Sequence, residues 1–143
     1  MHAALALKDG TIFRGIGFGA EKGAVGEVVF NTSLVGYEES LTDPSYKGQI
    51  LTLTYPLAGN YGVRASQFES EKVQAEGFVV REHQEFYAQR DAVKNISSFL
   101  SEHGIPGISG IDTRMLTRKI REHGVIMGAM ITSKENITDE ELL

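Results

Sequence analysis

The sequence predicts one mixed α+β domain, and three observations carry the prediction. Runs rich in β-branched and aromatic residues, bounded by glycine or proline, fill the first third of the chain. Helical spacing of apolar residues appears in the last third, and each helical segment there runs into a glycine and then a short apolar stretch. Strands first and helices later fit a layered α+β domain better than a doubly wound sheet, in which the two alternate throughout. A chain of 143 residues is read as a single domain over 1–143, long enough to bury roughly 70% of the surface its unfolded form exposes.

The elements follow in order. "AALAL" and "TIFRGIGF" flank Lys8-Asp9-Gly10, and an Asp-Gly pair between apolar segments is a strong hairpin signal. "GEVVFNTS" (Gly26 to Ser33) and "QILTLTYP" (Gln49 to Pro56) read as strands, joined by a polar connection with one helical turn around Tyr37 to Leu41. A further strand is expected within "VQAEGFVVRE", Val73 to Glu82. In "NISSFLSEHG", Ile96, Phe99, Leu100 and His103 share one helical face, and Gly104 stands where a helix stop belongs. In "IDTRMLTRKIREHG", Asp112 is a good N-cap, Leu116 and Ile120 lie four apart, and Gly124 repeats the stop. "NITDEELL" begins like another helix capped by Thr138 and ends before two turns are complete.

Composition excludes several classes of function. Cysteine is absent, which rules out disulfides, thiolate metal sites and a thiol nucleophile within these residues. A net charge of −5 argues against nucleic acid or an anionic membrane as the main partner. No apolar run approaches the ~18 residues that cross a bilayer, and the N-terminus lacks a charged leader, so a cytoplasmic protein is expected.

The motifs divide between ligand and scaffold readings. "GIGFGA" matches a dinucleotide fingerprint in form, but a strand rather than a helix follows, so its glycines read as strand-and-turn residues. His2, His83, His103 and His123 are scattered; two sit in last helical turns, where an imidazolium suits the dipole, and no metal site is expected. Arg114, Arg118 and Arg121 fall on one helix face, able to dock a carboxylate-bearing partner or simply to meet solvent. "YPLAGNYG" places Tyr55, Asn60 and Tyr61 around glycines, a loop that fits either a contact with a ligand or another chain, or a plain turn. In "LTDPSYKGQ", Pro44 holds Asp43 extended, and Asp43 can close an Asx-turn that leaves Ser45 on a stiff loop. No nucleophile elbow surrounds Ser45, so a binding or turn role outweighs that of a hydrolytic serine working with a distant histidine.

Together, "GEVVFNTSLVGYEESLTDPSYKGQILTLTYPLAGNYG" and "GISGIDTRMLTRKIREHG" resemble the N-terminal domain of the small, glutamine-hydrolysing subunit of carbamoyl phosphate synthetase. Leu34-Val35 and Leu57-Ala58 are small apolar departures from the commoner pattern. The resemblance implies a three-layer β/β/α swivelling domain. It also implies a second, glutamine amidotransferase domain in the same subunit that carries a Cys-His-Glu site. Ammonia released there from glutamine would pass to a large subunit that uses ATP and Mg to make carbamoyl phosphate for arginine and pyrimidine biosynthesis. With no cysteine, this domain is expected to hold no catalytic residue and no cofactor, and to be inactive alone. What the resemblance carries over is Ser45, as a contact to the substrate glutamine supported by Asp43 and Pro44. Tyr55, Asn60, Tyr61, Arg114, Arg118 and Arg121 are the candidate partner contacts. A free-standing module that binds a small amide on the same fold is the alternative.

Overall fold

The computed structural model describes residues 1–31, 43–53, 74–81 and 100–137. Seven strands run β1 (His2–Leu7), β2 (Ile12–Gly19), β3 (Gly23–Asn31), β4 (Gln49–Leu53), β5 (Gly77–Val79), β6 (Pro106–Ser109) and β7 (Met127–Ser133). Among the described residues, one full helix, α1 (Thr113–His123), lies between β6 and β7, and residues 100–102 are helical as well. The sheet closes on itself in the order β1-β2-β6-β5-β4-β3-β7, with β7 beside β1. β3, β4, β5 and β6 are mutually parallel, and the other pairs are antiparallel. The α+β class stands, with sheet predominating.

The Asp-Gly hairpin forms as its residues predict. Gly10 takes φ 97°, and the Gly10 N–H donates to Leu7 O (2.9 Å). Asp9 Oδ1 accepts from the Thr11 N–H at 2.9 Å, while Oδ2 meets Lys119 Nζ at 3.1 Å and so ties the hairpin to α1. The Thr11 hydrogen bonds, then the Lys119 ammonium, hold the Asp9 carboxyl at about 2, against an ordinary value of 3.8. The folded chain therefore binds this proton less tightly than the unfolded chain does. The stability it contributes is full above about pH 4 and fades as pH falls towards 2. Asp9→Asn should narrow its stability gap to wild type over that window in urea titrations; a gap of constant size would refute the assignment. The effect is small, because the pair is solvent-screened.

Alternation of side chains builds two buried layers from one sheet. Inside the barrel, Leu5, Phe13, Val28, Ile50, Val79, Ile108 and Met130 join one cluster with every strand represented, and Leu116 and Ile120 of α1 complete it. The expected apolar face of that helix is thus its core face. Outside, Leu51, Leu53 and Phe78 are also wholly buried, and Phe18 meets Phe78 edge-to-face at 6.3 Å. A strand apolar on both faces is the signature of a covered parallel sheet, which explains the unbroken run in "QILTL". Helical residues 100–102 end in a Schellman motif: Ile105 N–H donates to Leu100 O (2.9 Å), Gly104 N–H to Ser101 O (3.1 Å), and Gly104 has φ 69°. Leu100 and Ile105, the apolar pair of that motif, are both buried.

"GIGFGA" is the end of β2 and the turn into β3, with no helix after it, as the strand reading holds. Two strands differ in extent from expectation. The first strand of the parallel set begins at Gly23, three residues early, because Gly23 to Glu27 pair with β7, a partner a hundred residues away. Within the described residues 74–81, only Gly77–Val79 is strand: residue 76 bends, and its N–H donates to Gln49 O (2.8 Å) outside the ladder. The turn at Tyr37 to Leu41, most of the first predicted helix, His83 and the Thr138 cap lie outside the described residues.

Candidate functional site

The serine loop is built by local hydrogen bonding. Asp43 is extended (φ −68°, ψ 121°), as a residue before proline should be, and its Oδ1 accepts from the Ser45 N–H at 2.9 Å. Pro44–Tyr46 then forms one 3-10 turn, closed by Tyr46 N–H to Asp43 O (3.1 Å) and Lys47 N–H to Pro44 O (3.2 Å). Proline starts the turn at no cost in hydrogen bonds, since its missing N–H has no role there. Gly48, at φ 79°, swings the chain into β4. Its carbonyl passes so close to Gly26 that a Cβ there would lie 2.5 Å from the oxygen.

A second tie comes from Tyr46, whose hydroxyl accepts from Asn31 Nδ2 at 3.0 Å. Burial, and then the Asp43 charge, push the Tyr46 phenol above its usual range, so it stays neutral. The loop is therefore held at Asp43 by its own backbone and at Tyr46 by the end of β3. Ser45 itself is exposed, and among the described residues nothing hydrogen-bonds its hydroxyl. No described histidine or carboxylate bonds that hydroxyl, so nothing described activates it as a nucleophile. What the geometry offers is a fixed hydroxyl able to donate one hydrogen bond and accept others from a polar ligand.

The second region is the outer face of α1. Asp112 caps the helix, accepting from the Met115 N–H at 3.0 Å. At the other end, His123 Nδ1 lies 2.8 Å from Lys119 O, the last-turn position expected of it. Gly124 (φ 77°, ψ −72°) stops the helix in a γ-turn in which the Val125 N–H reaches His123 O at 3.0 Å. Arg114, Arg118 and Arg121 are all exposed and, with Thr113 and Thr117, line a groove of about 330 Å³. The Arg121 guanidinium stands over the Phe30 ring at 5.3 Å, so this member of the stripe is anchored. Phe30 and Asn31 point to opposite sheet faces by strand alternation, and the end of β3 thus orders both the arginine face and the serine loop.

Sequence reasoning missed Thr113, Thr117 and the Asn31–Tyr46 bond. The threonines are buried at helical spacing with Leu116 and Ile120, a signal visible in the pattern; the Asn31 contact has no local signal. Tyr55, Asn60 and Tyr61 lie outside the described residues. Among the described residues no histidine, aspartate and glutamate cluster could hold a metal, and no helix is long and apolar enough to cross a membrane.

Among the described residues, a closed mixed sheet packed against α1, with a braced serine loop and an arginine-lined helix face, makes an α+β domain. Residues 5–130 match the family model for the carbamoyl-phosphate synthase small chain, CPSase domain, and the chain belongs to that family. It is 55% identical over 141 residues to the carbamoyl phosphate synthase small chain of Methanococcus maripaludis strain C5, covering 99% of this chain and 36% of that one. Likeness to the small chains of Methanosarcina mazei (50% over 156 residues; 100% and 42%) and Methanocaldococcus jannaschii (54% over 142 residues; 99% and 38%) is similar. The chain thus spans about two-fifths of the length of these relatives.

Proposed function

We propose that this chain works as the N-terminal domain of a glutamine-dependent carbamoyl phosphate synthetase small subunit. It helps to bind glutamine, while a glutamine amidotransferase domain of the same subunit hydrolyses it and a large subunit consumes the ammonia. The match of the small-chain family model to residues 5–130 carries the reading. In this reading the closed sheet, flattened, supplies the two β layers of a swivelling β/β/α domain and the helices supply the third. Catalysis belongs to the other domain, and ATP and Mg to the large subunit. Tyr55, Asn60, Tyr61 and the arginine face are contacts to those partners.

Ser45 is the glutamine contact. Its support is the Asx-turn at Asp43 and the Tyr46 brace, which hold in place, before ligand arrives, an exposed hydroxyl with no partner among the described residues. A pre-ordered polar group loses less entropy on binding than a mobile one. In the reunited subunit, Ser45→Ala should raise the glutamine KM more than it lowers kcat, with a loss of about 0.5–1.5 kcal/mol in kcat/KM for one neutral hydrogen bond. Unchanged glutaminase kinetics would remove the role from Ser45. The wider reading is tested by combining this chain with the matching amidotransferase domain and large subunit. Glutamate release in a complex of defined size supports it; glutamine binding by this chain alone, without assembly, favours a free-standing amide-binding module instead.

A further inference from the structure

Thr117 poses a problem that the fold does not solve. Its side chain is 8% exposed, it lines the groove of α1, and its Oγ1 is sealed from solvent with no hydrogen-bond partner. A threonine inside a helix ordinarily returns its hydroxyl to the carbonyl one turn back, and buried polar groups left without partners are rare. Around it stand Arg114 and Arg118, neither with a carboxylate partner among the described residues, although the chain carries nineteen acidic residues. Arg121 is held over Phe30 and so keeps its charge beside the groove. Three like charges within two turns of helix repel one another, and that repulsion is relieved when an anion sits between them.

We propose that this groove is a receptor for a carboxylate presented by a partner polypeptide, the Asp or Glu side chain of an acidic segment. The proposal rests on the reading above, in which the domain docks in a larger assembly. A carboxylate has two oxygens and about four acceptor sites. It can take bidentate hydrogen bonds from Arg114 or Arg118, and a turn of Thr117 about χ1 brings its hydroxyl, sealed in the free chain, to the same carboxylate. Two features favour a protein over a free anion. The groove is open, so a small ion would keep much of its water, and Met115, 45% exposed, lies one helical turn from Arg118 as an apolar contact that only a larger surface would cover.

The test is sedimentation velocity of the complete small chain with its large subunit, at two salt concentrations. Arg114→Glu and Arg118→Glu should each weaken association by about tenfold or more, less at high salt, whereas Lys134→Glu outside the groove should change it by less than about twofold. Thr117→Val separates docking from folding. Removing an orphaned hydroxyl should leave the melting temperature of the free chain equal or higher, yet weaken association several-fold. Wild-type association by both arginine variants, in a complex that forms normally, overturns the receptor and leaves the family reading standing. A saturable shift of the Thr117 methyl resonance on titrating inorganic phosphate, with association insensitive to the arginines, assigns the groove to a free anion and also overturns it. If the unaltered proteins do not associate at all, the docking reading falls and the receptor falls with it.

Discussion

Phe78→Ala should lower the stability of this chain by about 3–5 kcal/mol, seen as a fall in Tm on the order of 10–20 °C, with loss of cooperativity at physiological temperature. Phe78 is wholly buried in β5, a strand of three residues between β4 and β6. Its ring meets Phe18 edge-to-face, and Phe18 in turn lies against Gly107, where a Cβ would strike the ring at 2.6 Å. Truncation therefore empties a layer outside the barrel that spans β2, β5 and β6. A short strand also has few ladder bonds of its own to resist the loss. Since the total stability of such a domain is about 5–15 kcal/mol, this single change takes a large share of it. A fall in Tm of only a few degrees would mean that the outer layer can collapse around the gap, and that the barrel interior carries the fold by itself.

Gly26→Ala should cost about 1–3 kcal/mol and, unlike Phe78→Ala, should also disturb the serine loop. The added methyl would lie 2.5 Å from Gly48 O and 3.3 Å from Gly48 C, and neither is a side-chain atom that can rotate away. Relief requires β4 to move off β3, or Gly48 to shift, and Gly48 is the residue by which the Ser45 turn enters β4. The expected signature is a drop in Tm joined to a glutamine KM raised in the reunited subunit at temperatures where the variant is still folded. A destabilised variant with an unchanged KM would show that the loop is positioned by the Asp43 turn and Tyr46 alone. Leu51→Val, a smaller change within the same strand, separates general weakening of β4 from displacement of the loop.

What could be read in the sequence was whatever has a cause within a few residues. The Asx-turn needs only Asp43, Pro44 and Ser45; the cap at Asp112 reaches three residues; the glycine stops at Gly104 and Gly124 each depend on the turn just before them. The hairpin at Asp9 and the buried positions Leu116 and Ile120 belong to the same group. Closure of the sheet was not legible, since the pairing of β7 with both β1 and β3 joins residues a hundred or more apart. Nor was the Arg121 stacking on Phe30, or the hydrogen bond that pins Tyr46 to Asn31. At the site, spacing alone presented Ser45 as an exposed hydroxyl on a stiff turn. The family resemblance, and not the pattern, supplied a ligand for it.

β1 and β3 never touch as partners: β7, residues 127–133, stands between them and bonds to both. Until that last stave is in place, the nascent sheet has two raw margins of unpaired backbone, one on each side of the gap. A ribosome must therefore release the segment through Ser133 before the cylinder can shut, and the early hairpin waits longest. Ring closure of that kind is slow, because it joins residues 2–7 to residues 128–133, a separation of more than a hundred residues. It also changes how other molecules can attach: once the last stave seats, no margin of the described sheet remains for strand-by-strand addition, and recognition is left to side chains and loops.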